Sequence, residues 1–391
     1  MAVATGIPRT RIGILGVVTI AAYGCWFYAF GVLFDPIIAD TGWSEPALAS
    51  AFSASILIGG VGSIAGGWLL DRFGSRTVFV VAAVVTLAAF QTAAAATDVL
   101  TFAIGGAIGG GVIAALGFYH VTQTTAVRIS PGSTDRAIAV LTIWGAFASA
   151  IYMPITAFLV GPLGWRSTLR VLTFSAAVAL IVGAIAMTTK TSEMPATRNV
   201  LGELKQSLKG TSARRFLLAQ GLAGIGVATL LVYQVPAMTS AGLPLAAASF
   251  WAGARGFSQL FGRLPLMPIV RRFGVVGSLR LAYGATSLGT LVLAIAGNPW
   301  FAALYAALAG FGIGATSPLV GMYSSEVFGA RSLGTAMGLM GMVFLVVGSI
   351  GPAAAGFIAD ATGSRAIPVA GAAVMTILAA LVIRSSPDTR S

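Results

Sequence analysis

The sequence has very few charged residues for its length, and most of them have one sign. Lys, Arg, Asp and Glu make up 9% of 391 residues, whereas 57% of the residues are hydrophobic. Soluble domains contain about 25% charged residues, because a globule needs polar surface to face water. This scarcity disfavours soluble enzymes, nucleic-acid-binding domains and secreted disulfide scaffolds. Together with a mean hydropathy of +0.93, it indicates a membrane protein.

Cysteine and histidine are also scarce. Cys25 is the one cysteine and His120 the one histidine, so no internal disulfide can form. We find no paired carboxylates, metal-ligand cluster or nucleophile with an adjacent base at membrane depth in the sequence. The sequence therefore predicts no enzymatic activity, no metal site and no cofactor.

Long apolar runs recur along the whole chain. Twelve of them are long enough to form a spanning helix of about 20 residues, from 13–38 near the start to 367–383 near the end. The first run follows Arg9 and Arg11, as in a signal peptide, but its apolar stretch is too long for one. We predict an all-α membrane protein with twelve transmembrane helices and a retained first helix.

The basic residues are distributed unevenly between the predicted loops. If the N-terminus is inside, only Arg166, Arg170 and Arg365 of the 23 Lys and Arg residues fall in outer loops. Because basic loops stay in the cytoplasm, both termini are predicted to be cytoplasmic. We expect a multi-pass protein of the inner (cytoplasmic) membrane, with the lipid bilayer rather than a nucleic acid as the reason for its charge of +12.

One long polar connection divides the chain into two related halves. Residues 189–215 form a predicted cytoplasmic linker between an N-terminal six-helix bundle (1–188) and a C-terminal one (216–391). At a constant offset, the first half repeats in the second: Gly62, Arg72, Phe73 and Gly74 match Gly262, Arg272, Phe273 and Gly274. A parallel repeat of this kind is typical of transporters with two pseudo-symmetric halves and a substrate site at the midplane.

The loop after the second predicted helix resembles a family motif. Residues 67–76 read Gly-Trp-Leu-Leu-Asp-Arg-Phe-Gly-Ser-Arg, similar to the G-x-L-x-D-R-x-G-x-R loop of the major facilitator superfamily. The resemblance implies the major facilitator fold, rocker-switch alternating access and a gating role for Gly67, Asp71, Arg72, Gly74 and Arg76. The alternative is that Asp71 and Arg72 are solvated loop charges.

Further stretches resemble the monocarboxylate transporters and the oxalate/formate antiporter of that superfamily. They are Gly31–Phe34, Gly42–Ser44, Gly164–Arg166, Phe328–Arg331 and Gly351–Pro352. The arginine that drug/proton antiporters of the superfamily usually carry in helix four is missing here. The resemblance implies a transporter of a small carboxylate, with a drug or metabolite exporter as the alternative.

Two arginines lie within the eighth predicted span. Arg255 and Arg263, with Gln259 between them, share a helix face within about 80°, and the span contains no Asp or Glu. An intramembrane arginine is a functional-site hypothesis by default, and a guanidinium can bind a carboxylate bidentately.

The two arginines have different predicted roles. Resemblance to the carboxylate transporters implies that Arg263 binds the substrate carboxylate. Alternatively, Arg263 holds the helix end through backbone carbonyls or lies in a cytoplasmic vestibule. Arg255 has no counterpart in the family, and it either binds a second anionic group or extends toward the membrane surface.

The resemblance is incomplete at two positions linked to coupling. Tyr28 stands where the monocarboxylate transporters carry a Lys, and Gln259 stands where they carry an Asp. His120 is therefore the proton-coupling candidate, because an imidazole titrates near neutral pH, although a histidine bonded within a bundle is as common. Five further residues suggest a small, partly aromatic cavity: Tyr28, Tyr119, Tyr152, Tyr233 and Gln234. Each of them either donates a hydrogen bond to a carboxylate or only packs in the bundle.

Membrane potential limits the choice of mechanism. A monoanion entering the cell works against about 2.3 kcal/mol per 100 mV, so accumulation needs a proton or a counter-anion. By resemblance we place proton-linked symport of a monocarboxylate first. The proton then moves through His120 or on the substrate's own carboxyl group. Carboxylate anion exchange and facilitated diffusion are the alternatives to symport.

Overall fold

The computed structural model describes residues 8–187, 210–328 and 333–384, which are helical almost throughout. The chain divides between Met194 and Pro195 into two compact units, and each unit is described by itself. The predicted linker at 189–215 lies mostly outside the described residues. So do residues 329–332, which include most of the stretch Phe328–Arg331 that resembles the carboxylate transporters.

The N-terminal unit contains two helices that are far longer than a membrane span. Its elements are α1 (Arg9–Tyr23), a π-helical turn (Gly24–Tyr28), α2 (Ala29–Thr41), α3 (Glu45–Ala95), α4 (Val99–Gly117), α5 (Tyr119–Ile129) and α6 (Thr134–Ala186). Gly74 interrupts α3 with φ 75° and ψ 168°, and Gly164 interrupts α6 with φ 69° and ψ 167°. Glycine adopts this left-handed φ without steric cost, so each long element is two helices joined at a kink.

The C-terminal unit repeats one of these kinks, in a shorter helix. Its elements are α7 (Thr211–Ser240), α8 (Leu245–Arg263), α9 (Leu266–Leu293), α10 (Pro299–Phe328), α11 (Leu333–Gly348), α12 (Ile350–Thr362) and α13 (Ala366–Val382). Gly274 interrupts α9 with φ 69° and ψ 173°, close to the values at Gly74. The sequence repeat therefore extends to the backbone conformation of the two matching loops.

Several described helices are suited to a membrane. Seven of them are long and apolar enough to cross one, and Ala366–Val382 is a shorter apolar helix. Two of the seven are the kinked helices α3 and α6. Helices α8 and α9, which contain Arg255, Arg263 and Arg280, are outside the seven.

Glycines let helices of the same unit pack backbone to backbone. A Cβ added at Gly314 would lie 2.1 Å from the backbone oxygen of Gln259. A Cβ added at Gly262 would lie 2.0 Å from the backbone oxygen of Phe311. Helices α8 and α10 are thus held in direct contact through positions that tolerate no side chain, a mode of packing common in membrane bundles. This contact fixes where the arginines of α8 lie.

Helix α4 has a capped N-terminus outside the spans. Asp98 accepts the Thr101 backbone N–H at 2.9 Å and the Thr101 hydroxyl at 2.8 Å, which satisfies donors that a helix end otherwise leaves free. Hydrogen bonding from the Thr101 backbone lowers the pKa of Asp98. The carboxylate is therefore ionised at neutral pH and caps the helix.

Candidate functional site

Arg255 is buried in the middle of α8. Its exposed fraction is 2%, and it is among the largest fully buried side chains of the protein. Its Nε donates to Oε1 of Gln234 on α7 at 3.0 Å. Of the two arginines that the sequence places within the span, Arg255 is the one enclosed by the bundle.

Gln234 is held by two donors at once. Its Oε1 also accepts the Tyr305 hydroxyl of α10 at 2.8 Å, and both Gln234 and Tyr305 have exposed fractions of 0%. An amide can be placed in two orientations, but only one offers its oxygen to a guanidinium and a phenol. The Nε2 of Gln234 therefore points away from these two donors.

Two buried donors of this cluster have no acceptor in the part of the chain that the structure describes. Among the described residues, Nη2 of Arg255 and Nε2 of Gln234 are buried without a hydrogen-bond partner. Leaving such a group unsatisfied costs about 1–3 kcal/mol, and more for a charged group. Arg255 also forms no ion pair with any acidic residue in the described ranges. We call Arg255, Gln234 and Tyr305 the arginine cluster; it presents a buried positive charge and spare donors.

Arg263 lies two turns further along α8, in a different environment. Its side chain is partly exposed, and its Nε donates to the Gly314 oxygen of α10 at 3.4 Å. This contact matches the alternative in which Arg263 holds a helix through backbone carbonyls. Gln259, between the two arginines, is partly buried, and its backbone contacts Gly314. The two arginines therefore lie in different environments, although they belong to one continuous helix.

The predicted aromatic residues of the N-terminal unit surround Tyr23. Its ring stacks on Phe118 with centroids 3.7 Å apart and lies 5.4 Å from Tyr119 and 6.3 Å from Tyr28. The Tyr119 hydroxyl donates to the Thr142 oxygen at 3.3 Å. The structure brings Tyr28 and Tyr119 to one aromatic group, whose central residue the sequence analysis missed.

Tyr152 and His120 of the same unit make local contacts. The Tyr152 hydroxyl is 2.9 Å from Oγ of Ser175, and its ring lies so close to Gly24 that an added Cβ would be 2.1 Å away. His120 Nε2 lies 2.7 Å from the Ala115 oxygen, across the extended residue Phe118 that separates α4 from α5. His120 therefore bridges a helix break, and its role in coupling stays a prediction.

The loop at 67–76 forms an ion pair within its own unit. Asp71 pairs with Arg128 at the end of α5, and Arg128 also donates to the Leu70 oxygen at 3.2 Å. Arg72 lies 5.7 Å from the Trp68 ring. Gly67 has open space beside it and Arg76 is exposed. The gating role of this loop stays a prediction, but Asp71 is not merely solvated.

Two residues of these clusters had no clear signal in the sequence. Tyr305 lies on α10, 71 residues from Gln234, and Tyr23 looks like any other aromatic residue of an apolar helix. Spacing along one helix identifies neighbours on that helix only. A contact between helices of this kind becomes visible only when the bundle is assembled.

The chain belongs to the Major Facilitator Superfamily, whose family model matches residues 15–233 and 216–391. It is therefore a multi-pass membrane transporter protein and not an enzyme. The resemblance stated from the sequence motifs is confirmed.

Curated relatives include two distant homologues that match most of the chain. Monocarboxylate transporter 11 of Homo sapiens is 29% identical over 350 residues, 84% of this chain and 71% of that protein. Monocarboxylate transporter 13 of Bos taurus is 26% identical over 382 residues, 93% of this chain and 87% of that protein.

Solved structures share the fold at low sequence identity. The nucleoside transporter NupG has a TM-score of 0.79 at 14% identity and covers 96% of this chain and 98% of its own. A POT family transporter in complex with 5-aminolevulinic acid has a TM-score of 0.74 at 12% identity, with coverages of 97% and 96%. These similarities establish the major facilitator fold alone.

Proposed function

We propose that this protein moves a small organic anion, first of all a monocarboxylate, across the cytoplasmic membrane by alternating access. The observation that carries the proposal is the arginine cluster. A buried guanidinium and a buried amide each keep a donor without an acceptor among the described residues. A carboxylate supplies both the negative charge and the two acceptor oxygens that such a site needs.

Twelve spans form part of this proposal. A continuous helix of 51 residues, as in α3, would be about 76 Å long at 1.5 Å per residue, against a hydrocarbon core of about 30 Å. The kinks at Gly74 and Gly164 give α3 and α6, of 51 and 53 residues, room for two crossings each. The kink at Gly274 lies near the start of α9, whose 28 residues have room for one crossing. This supports six crossings in each half, separated by the linker at 189–215, with both termini in the cytoplasm.

The names of the relatives support a carboxylate, rather than a cation, as the substrate. The two homologues that match most of the chain are both named monocarboxylate transporters. An unpaired buried arginine repels a lipophilic cation, which argues against a drug exporter. We assign Arg255 as the principal anion contact, with Gln234 and Tyr305 as its partners. Arg263 is a second basic contact near the end of α8, with Gln259 between the two arginines.

The proposed cycle is proton-linked. Cotransport of one proton with a monoanion is electroneutral and removes the opposition of an inside-negative potential. His120 is the proton carrier in this scheme. Tyr28, Tyr119 and Tyr152 of the N-terminal unit, and Tyr233 of the C-terminal unit, are proposed as further substrate contacts. Exchange for a counter-anion is the alternative mechanism on the same site.

Thermal unfolding of the purified full chain tests the anion site. Acetate, lactate, benzoate, oxalate, succinate and tetraphenylphosphonium are compared, because a ligand of the folded state stabilises it by about 2.7 kcal/mol at 100 times its Kd. We expect a monocarboxylate to raise the unfolding temperature of the wild type and to have no effect on Arg255→Gln. Arg280→Gln is the matched control: Arg280 donates to the Ile383 oxygen at 2.7 Å, so this variant should still respond.

Three results would contradict the proposal. If Arg255→Gln responds to carboxylates as the wild type does, the assignment of Arg255 is wrong. If Arg263→Gln alone abolishes the response, the anion site lies at the other arginine of α8. If only tetraphenylphosphonium stabilises the protein, it is an exporter of cations.

A further inference from the structure

A separate cavity lies inside the C-terminal unit. It has a volume of about 260 Å³ and is formed by α7, α9, α10, α11 and α13. None of the residues that line it belongs to the arginine cluster, and neither Arg263 nor Gln259 lines it. This cavity is therefore distinct from the anion site proposed above.

The walls of this cavity are mainly apolar and carry no charge. Met337, Met340 and Phe344 of α11 form one side, facing Ala223 and Val227 of α7. None of the lining side chains in the described part of the chain is acidic or basic. Methionine side chains adapt to ligands of different shape. A charged molecule would lose its hydration here without gaining a counter-charge, so the walls favour a neutral one.

Most of the polar side chains that line the cavity already donate a hydrogen bond within the protein. The hydroxyls of Thr286 and Thr376 donate to backbone oxygens of their own helices, each at 2.9 Å. The Tyr283 hydroxyl donates to Oε1 of Gln220 at 2.8 Å. In contrast, Nε2 of Gln220 has no hydrogen-bond acceptor among the described residues. Gln220 therefore offers this cavity a fixed donor, because its oxygen is held by Tyr283.

We propose that this cavity binds a neutral, mainly apolar small molecule that carries a hydrogen-bond acceptor, such as an aromatic ketone or ester. Ligand pockets combine apolar walls with a few polar groups that set orientation. Here Nε2 of Gln220 binds the acceptor, while Phe344 and the methionines contact the apolar body. Met337 has an exposed fraction of 37%, so the cavity reaches the surface at its α11 side.

Photolabelling with benzophenone tests this site in the full-length protein in lipid nanodiscs. Benzophenone is a neutral aromatic ketone. On irradiation, its excited carbonyl takes a hydrogen atom from a nearby C–H group, and the two radicals combine into a C–C bond, which leaves a tertiary alcohol. We expect mass spectrometry to find the adduct on Met337 or Met340, with saturation as the concentration rises.

A pair of glycines on α11 provides a matched comparison. Gly341 lines the cavity and Gly338 does not, and an added Cβ at either position meets nothing within 4 Å. Gly341→Leu should fill the cavity without a backbone clash and lower labelling of the methionines about tenfold, which corresponds to about 1.4 kcal/mol. Gly338→Leu should leave the labelling unchanged.

The outcomes separate this site from the anion site. Labelling that is spread over lipid-facing residues, or that is the same in Gly341→Leu and the wild type, overturns the proposal. Displacement of benzophenone by saturating benzoate also overturns it, because it would place both molecules in one cavity. Loss of the carboxylate response in Arg255→Gln with intact labelling of Met340 supports two separate sites.

Discussion

At the scale of single residues, the arginine cluster is a buried positive charge supported by an oxygen rather than by an acid. Gln234 Oε1 accepts from both Arg255 and Tyr305, so the amide can hold the guanidinium in place without neutralising it. A carboxylate at position 234 would pair with Arg255 and remove the need for an anionic ligand. The charge state of residue 234 therefore decides between a binding site and a structural ion pair.

Gln234→Glu is expected to stabilise the protein and to abolish its response to carboxylates. The variant gives Arg255 a buried acidic partner, which relieves an unpaired donor worth about 1–3 kcal/mol. The unfolding temperature without ligand should rise, and the affinity for a monocarboxylate should fall at least about tenfold. If Gln234 has only a structural role, the change in unfolding temperature should not be accompanied by a loss of affinity for the monocarboxylate.

Tyr305→Phe is the control for this variant. It removes one hydrogen bond to Gln234, worth about 1 kcal/mol, and leaves the charge unchanged. It should lower the unfolding temperature slightly and weaken carboxylate binding far less than Gln234→Glu does. If Gln234→Glu and Tyr305→Phe behave alike, charge at position 234 is not what the ligand recognises.

The sequence identified part of this cluster and missed the rest, for a physical reason. An arginine inside an apolar run is costly, so Arg255 was visible without a structure, and Gln234 was already among the polar residues of its helix. Tyr305 was not, because its role depends on the contact of α10 with α7. Resemblance favours Arg263 as the carboxylate contact, and that assignment stays a prediction; the structure places Arg263 at a partly exposed backbone contact and buries Arg255.

At the scale of helices, the position of Arg255 depends on the glycines of α10. Gly310 and Gly314 face the backbone of α8, where an added Cβ would lie 2.4 Å from the Arg255 oxygen and 2.1 Å from the Gln259 oxygen. These distances are too short for any side chain, so a methyl group must push the helices apart. The anion site is thus built by helix packing as much as by polar side chains.

Gly314→Ala is expected to destabilise the protein by about 1–3 kcal/mol, as overpacking does, and to weaken carboxylate binding. Gly284→Ala on α9 is the control, because an added Cβ there meets nothing within 4 Å. It should be neutral or slightly stabilising, since Ala favours helix more than Gly does. Thermal unfolding with and without a monocarboxylate measures both effects. Equal losses in the two variants would mean that the contact of α8 with α10 does not position the site.

Helix positions could be predicted from hydropathy, but irregular turns within helices could not. The π-helical turn Gly24–Tyr28 and the extended residue Phe118 lie where Tyr23 stacks on Phe118. π-helical turns often occur at functional sites, yet no local composition marks this one. The stack of Tyr23 on Phe118 joins residues far apart in the sequence, and Gly24 packs against Tyr152 of α6. A pattern read along one helix does not contain such contacts.

At the scale of the whole molecule, the question is how an anion site is coupled to a driving force. The site proposed here carries a positive charge, and no acidic residue of the described chain pairs with Arg255. A loaded monoanion would neutralise the site, so net charge movement depends on whether a proton travels with it. His120 is the titratable group proposed for this task, but its contact with Ala115 also braces the break between α4 and α5.

His120→Gln separates these two roles. A glutamine can still donate an N–H to the Ala115 oxygen but does not titrate near neutral pH. In proteoliposomes we expect the variant to keep exchange of labelled for unlabelled monocarboxylate, because exchange needs no net proton movement, and to lose accumulation driven by an acidic exterior. If accumulation persists, His120 has only a structural role, and the proton is carried by another group. If the wild type shows exchange but no pH-driven accumulation, the protein is an anion exchanger and the proton-linked scheme is wrong.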